Sequence, residues 1–165
     1  MNAEKVNFLQ HRFILLLKQL PSDTPPQWGK MTLQQMLEHF ADSVRIASGK
    51  TAHTAIITPE AHFDKIRTFM LSEKPFRENT ANPLMPEVPA PVKNHSVEEA
   101  TRDLQKELAF FFSVFEQNNL GVTRNPFFGD LTFEDNVHLL YKHATHHLKQ
   151  FGITIQETQA GVDNT

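Results

Sequence analysis

Four stretches of this chain repeat apolar residues at three- and four-residue spacing, the period of a helix with one buried stripe. The first runs from about Ala3 to Leu20, with Val6, Leu9, Phe13, Leu16, Leu17 and Leu20 on the stripe. Pro21, Pro25 and Pro26 end it, because proline cannot continue a helical hydrogen-bond ladder. The second runs from Thr32 to about Ser48 through Leu33, Met36, Phe40, Val44 and Ala47. Thr32 and Gln35 stand at capping-box spacing, in which each side chain satisfies a free amide of the first turn, and Gly49 stands at the stop. The third runs from Ser96 to about Asn118, with Ser96 and Glu99 at its start, Leu104, Leu108, Phe111, Phe112 and Phe115 on its stripe, and Gly121 beyond. The fourth runs from Thr132 to Gln150, opened by Thr132 and Asp135 and closed by Gly152.

Four such segments predict an all-α four-helix bundle. Between the second and third lie about fifty residues. Pro59 to Leu71 carries a weaker helical pattern through Phe63, Ile66, Phe69 and Met70, and Pro75 to Pro91 holds five of the ten prolines with no period. A bundle often needs one long connection, so an ordered proline-rich crossover is expected, with a disordered linker as the alternative. One or two short strands fit within Thr54 to Thr58, although nothing requires them. Residues 1–156 read as one domain and 157–165 as a flexible polar tail.

Composition removes several function classes. Net charge is −3 over 165 residues and no Lys or Arg run forms a basic stripe, which argues against nucleic acid as a partner. No stretch approaches the ~20 apolar residues of a membrane helix. The apolar run Phe13 to Leu17 is short and flanked by Arg12 and Lys18, unlike a secretory signal. Cysteine is absent, so there is neither a disulfide framework nor a protein thiol to act as ligand or nucleophile. These features lead to the expectation of a soluble cytoplasmic protein, monomer or homodimer.

Nine histidines remain to be explained. On the fourth helix His143 and His147 are four apart, one turn apart on nearly the same face, so two imidazoles can meet one ion. Gln150 continues that line, and His146 lies about 60° to one side. Leu139 and Leu140 carry the face backward as apolar surface, so the pair points inward. Helical metalloprotease sites use the same spacing, but Ala144 stands where their glutamate base would be. A third ligand must come from elsewhere. His39, on the border of the second helix's apolar stripe beside Gln35, Asp42 and Ser43, is the best candidate, with those neighbours able to hydrogen-bond around it. His11, His53, His62, His95 and His138 have no partner spacing and read as surface residues. A carboxylate-bridged di-iron site needs Glu-x-x-His on two helices; Glu38 is followed three residues on by Ala41 and Glu134 by Val137.

Two motifs carry a resemblance. One is Trp28-Gly29-Lys30-Met31 followed by Gln35-Met36-Leu37-Glu38-His39. The other is Asn125-Pro126-Phe127-Phe128-Gly129 leading to Tyr141-Lys142-His143 and His146-His147-Leu148-Lys149-Gln150-Phe151-Gly152. In these the chain resembles the DinB-like (YfiT-type) family of metalloenzymes, closest to a branch of unassigned function, over most of residues 25–152. The resemblance implies a four-helix bundle with a three-histidine site for zinc or nickel, on His39, His143 and His147. It also implies a small-molecule substrate and, as in some relatives, a thiol cosubstrate. A metal-dependent thiol transferase or hydrolase is therefore the expected function. A non-enzymatic metal- or ligand-binding module, acting in stress response, is the alternative. Gln35, Asp42, His146 and Gln150 are the expected pocket neighbours, and Phe111, Phe112, Phe127 and Phe128 candidates for its apolar wall.

Overall fold

The computed structural model describes residues 3–79, 88–117 and 121–155. The expected tail, the middle of the proline-rich crossover and the end of the third helix at Asn118 lie outside them. The chain is mostly helical, with one two-stranded sheet. No described helix is long and apolar enough to cross a membrane.

The first helix, α1 (residues 3–17), has an α-helical piece Ala3–Asn7, a π-helical turn Phe8–Arg12 and a second α-helical piece Phe13–Leu17. The wide turn shifts the phase of the buried stripe, so Phe8 and Phe13, five apart, both face inward with ring centroids 6.0 Å apart. A strict 3.6-residue reading passes over Phe8 for this reason. The helix stops at Leu17 rather than Leu20, where the Gln19 amide donates to Leu16 and the Leu20 amide to Leu17, tightening the last turn ahead of Pro21.

Helix α2, Leu33–Ala47, starts on Thr32 with both halves of its capping box made. Helix α3, Glu60–Leu71, is the weak segment of the crossover. Helix α4, Val97–Gln117, packs most extensively against α2. Helix α5, Phe133–Gln150, is again opened by a complete capping box, from Thr132 and Asp135, and touches α1, α2 and α3. Phe13, Leu37, Phe40, Leu104, Phe111, Leu140 and Leu148 fill the interior between them.

The strands lie elsewhere than expected. Thr54 to Thr58 is not a strand. The hairpin is β1, Thr123–Asn125, against β2, Gly129–Leu131, antiparallel with Thr123 opposite Leu131. The turn follows from its sequence. The Asn125 side-chain oxygen accepts from the Phe127 and Phe128 amides, and Gly129 takes φ +76°, open to glycine at little cost. Residues 54–57 instead dock on this turn: the Ile57 amide donates to the Pro126 carbonyl at 2.7 Å and Arg124 donates to the Thr54 carbonyl at 3.1 Å. Buried Asn136 donates to the Thr123 hydroxyl and the Leu131 carbonyl, fixing the hairpin to the start of α5.

Both described limbs of the crossover are anchored. On the outgoing limb the buried Lys142 ammonium donates to the carbonyls of Phe69 (2.6 Å), Ser72 (3.0 Å) and Met70 (3.4 Å) at the end of α3. Lys5 donates to Glu73 at 2.8 Å and to His138 Nδ1 at 2.9 Å, while the His138 Nε2–H donates to the Ser72 carbonyl. His138, expected at the surface, is thus half-buried in a polar cluster, because α3 and Glu73 close over it. On the returning limb the carboxylate of buried Glu38 accepts from the Lys93 amide at 2.7 Å and the Asn94 amide at 2.9 Å.

Candidate metal centre

His39 on α2 meets His143 and His147 on α5. His143 Nε2 lies 3.1 Å from His39 Nε2 and 2.8 Å from His147 Nε2. Among the described residues these three form the one histidine or carboxylate group able to hold a metal ion. His147 is buried, whereas His39 and His143 keep a partly exposed edge.

Burial is the largest influence on all three rings and disfavours their charged forms. It brings His39 down to about 4, against the opposing pull of the Asp42 carboxylate and with a smaller push from His146. His143 and His147 lie well below the usual imidazole value for the same reason, reinforced by neighbouring histidines. At neutral pH the triad is uncharged, which is the ligating form of imidazole.

The position of the protons on His147 follows from Gln150. The Gln150 amide N–H donates to the Trp28 carbonyl at 3.0 Å, so its oxygen is the end that faces His147 Nδ1, at 2.7 Å. That oxygen can only accept, so Nδ1 carries the proton and the Nε2 lone pair faces the other two rings. Gly29 permits this arrangement. It holds φ +78°, and a Cβ there would stand 3.0 Å from the Gln150 side-chain nitrogen. The Gln27 amide donates to the Gln150 carbonyl at 2.7 Å and seats the loop on the end of α5.

This donor set fits a divalent metal. Three nitrogens of the same kind converge, and one of them has its lone pair committed inward. A neutral His143 has one Nε2–H at most and can give it to one neighbour at a time, whereas a cation between the rings would engage all three nitrogens. Tetrahedral zinc with Zn–N of ~2.0–2.1 Å would hold the nitrogens about 3.3 Å apart. The two spacings from His143 would widen by only a few tenths of an ångström, and all three ligand atoms lie within 4.8 Å of one another.

The expected neighbours divide. Gln150 braces His147 as described. His146 stands edge-on to His147 with centroids 5.2 Å apart and meets the Phe76 ring at 6.0 Å. Asp42 reaches the site only through its field on His39; its oxygens pair with Arg45 at 2.8 Å and Lys93 at 2.9 Å. Gln35 is spent on the start of α2, accepting from the Thr32 amide and donating to the Ala90 carbonyl. Among the remaining histidines, His11, His62 and His95 are exposed and His53 half-buried.

The aromatic wall differs from the expected one. Phe111 and Phe112 pack with Phe115 and Phe133, and Phe127 and Phe128 lie in the hairpin turn. The rings against the triad are Phe40, 4.9 Å from His143, and Phe76, 6.3 Å from His143 and 6.0 Å from His146; Trp28 sits 5.6 Å from His146. Phe40 was assigned to the core stripe. Phe76 lies in a proline-rich stretch with no period, so nothing in the sequence marked it. Lys142, which anchors the limb carrying Phe76, stands in the Tyr141-Lys142-His143 motif, but its spacing alone gives it no role.

No protein-family model, curated protein or solved structure matches this chain.

Proposed function

We propose that the chain holds one divalent metal on His39, His143 and His147 and acts on a small molecule that reaches the remaining coordination positions. The observation that carries this reading is the convergence of three neutral Nε2 atoms from two helices, one oriented by Gln150. Support for an open site comes from the ligand count: among the described residues no fourth histidine or carboxylate joins the group. A three-histidine set with a free position is the usual catalytic form of zinc, whereas structural sites are closed by a fourth ligand. A metal so held supplies Lewis acidity toward an oxygen or sulfur donor. The residues of the chain keep the imidazoles neutral, orient them and shape the approach. Glu38 and Asp42 are engaged in hydrogen bonds and ion pairs away from the triad, so neither is a free carboxylate base.

The finer reading follows the resemblance in the Trp28–His39 and Asn125–Gly152 motifs. On it, the protein is a DinB-like four-helix bundle, the metal is zinc or nickel, the setting is cytoplasmic, and the reaction is a thiol-dependent transfer or a hydrolysis. The test is metal analysis of protein prepared without a histidine tag, followed by cobalt substitution and titration with small thiols. A stoichiometric metal and a sulfur-to-cobalt charge-transfer band support the transferase reading. A metal that no thiol or small anion perturbs supports a closed binding module instead.

A further inference from the structure

Flat rings lie beside the triad. His39, His143, His146, Phe76 and Trp28 are all half-buried, with Phe76 against His143 and His146 and Trp28 against His146. Phe76 stands nearly perpendicular to both His143 and His146, with interplanar angles of 88° and 90°. Trp28 stands at 63° to His146 from a different segment of the chain. Neither ring sits there by default. Phe76 is carried on the limb that Lys142 fastens, and the Lys142 ammonium lies 5.3 Å from its centroid. Two residues on, Glu78 pairs with Lys149 of α5 at 3.0 Å. Trp28 is fixed by its carbonyl on Gln150.

The charges that bear on the site are already matched. Asp42 pairs with Arg45 and Lys93, Glu78 pairs with Lys149, and Lys142 is occupied by carbonyl oxygens. With uncharged imidazoles, the uncompensated charge at the site would be that of the metal. A ligand with one anionic donor answers it; a second anionic group would have to compete with Glu78 for Lys149, which lies 5.9 Å from the Trp28 centroid, or with Asp42 for Arg45 and Lys93. Half-buried aromatic faces gain most from a flat apolar partner.

From this we infer that the centre selects ligands in which a single anionic donor is joined to a flat apolar body, with Phe76 and Trp28 as the specificity-determining residues. The inference rests on the metal reading above. It goes beyond it in assigning a ligand class and two side chains that touch the ligand rather than the metal.

The experiment uses cobalt-loaded full-length protein and three hydroxamate probes read by the visible spectrum: acetohydroxamate, benzohydroxamate and succinic monohydroxamate. Each affinity is corrected for the probe's affinity toward aqueous cobalt. Benzohydroxamate should bind about tenfold more tightly than acetohydroxamate, the scale of one or two aromatic contacts. Succinic monohydroxamate, which adds a second anion, should gain nothing. Phe76→Ala and Trp28→Leu should each shrink the aromatic preference severalfold, read on the cobalt-loaded variant as the ratio of benzohydroxamate to acetohydroxamate affinity. Equal binding of the aromatic and methyl probes, preference for the succinyl probe, or a preference untouched by both variants would overturn the inference and leave the metal site standing. Failure to take up cobalt would instead remove the metal reading, and the inference with it.

Discussion

Gln150 and His147 are joined by a 2.7 Å hydrogen bond whose direction is set from outside the pair, because the other end of the Gln150 amide is committed to the Trp28 carbonyl. The glutamine therefore decides which nitrogen of His147 faces the triad.

Gln150→Leu should lower metal affinity by roughly 10- to 100-fold, the usual cost of losing the partner that orients a ligating imidazole. Competition against a chromogenic chelator measures it. Gln150→Glu keeps an acceptor toward Nδ1 and should recover part of the loss. If the leucine variant binds metal as tightly as wild type, the contact serves the helix end only.

Metal should not be needed for folding. The interior is already filled by Phe13, Leu37, Phe40, Leu104, Phe111, Leu140 and Leu148, so the ion contributes only the linkage term, about 2.7 kcal/mol at a hundredfold excess over Kd. Far-ultraviolet circular dichroism in excess chelator should keep its helical signal, with a lowered melting temperature. Collapse of that signal would make the site structural.

The metal-free protein should lose stability as pH falls below about 6.5. His39 titrates near 4 in the folded chain and near 6.5 when unfolded. Between those values the unfolded state binds the extra proton, so the stabilisation is complete above 6.5 and disappears as pH falls toward 4. That difference is on the order of 3 kcal/mol for His39 alone. His143 and His147 shift in the same direction but share the site, so their effects do not simply add. Thermal melts from pH 7 to 4 in chelator test this, with His39→Phe flattening the slope. An unchanged melting temperature across the window would contradict the buried neutral state.

Lys142→Met should destabilise the fold by about 1–3 kcal/mol, since the carbonyls of Phe69 and Ser72 lose a charged donor at the end of α3. Proteolysis should then cut first between residues 72 and 79. A variant as stable and as resistant as wild type would show that α3 holds its own end.

The triad was legible because its signals are local. His143 and His147 share a face by spacing alone, and His39 borders a stripe whose phase is fixed by the Thr32–Gln35 cap. The four long helices were legible for the same reason. What escaped depends on contacts distant in sequence. The π turn at Phe8–Arg12 changes the period from within a helix. The Thr123–Leu131 hairpin is too short to show alternation, and its Asn125–Gly129 turn stands in the sequence only as a motif. Phe76 acquires its place only through Lys142 and Glu78. Gln35, one helical turn before His39, carries a capping signal and a pocket position at once; its side chain goes to the Thr32 amide and the Ala90 carbonyl. The free-imidazole value would put proton competition with the metal between about pH 7 and 5; burial of the rings moves it lower.

The most direct test of the metal assignment is the metal content of tag-free wild type beside His143→Ala, with His11→Ala as control. The wild type and His11→Ala should each carry close to one divalent ion per chain, and His143→Ala close to none. Equal metal in wild type and His143→Ala would contradict the three-histidine centre.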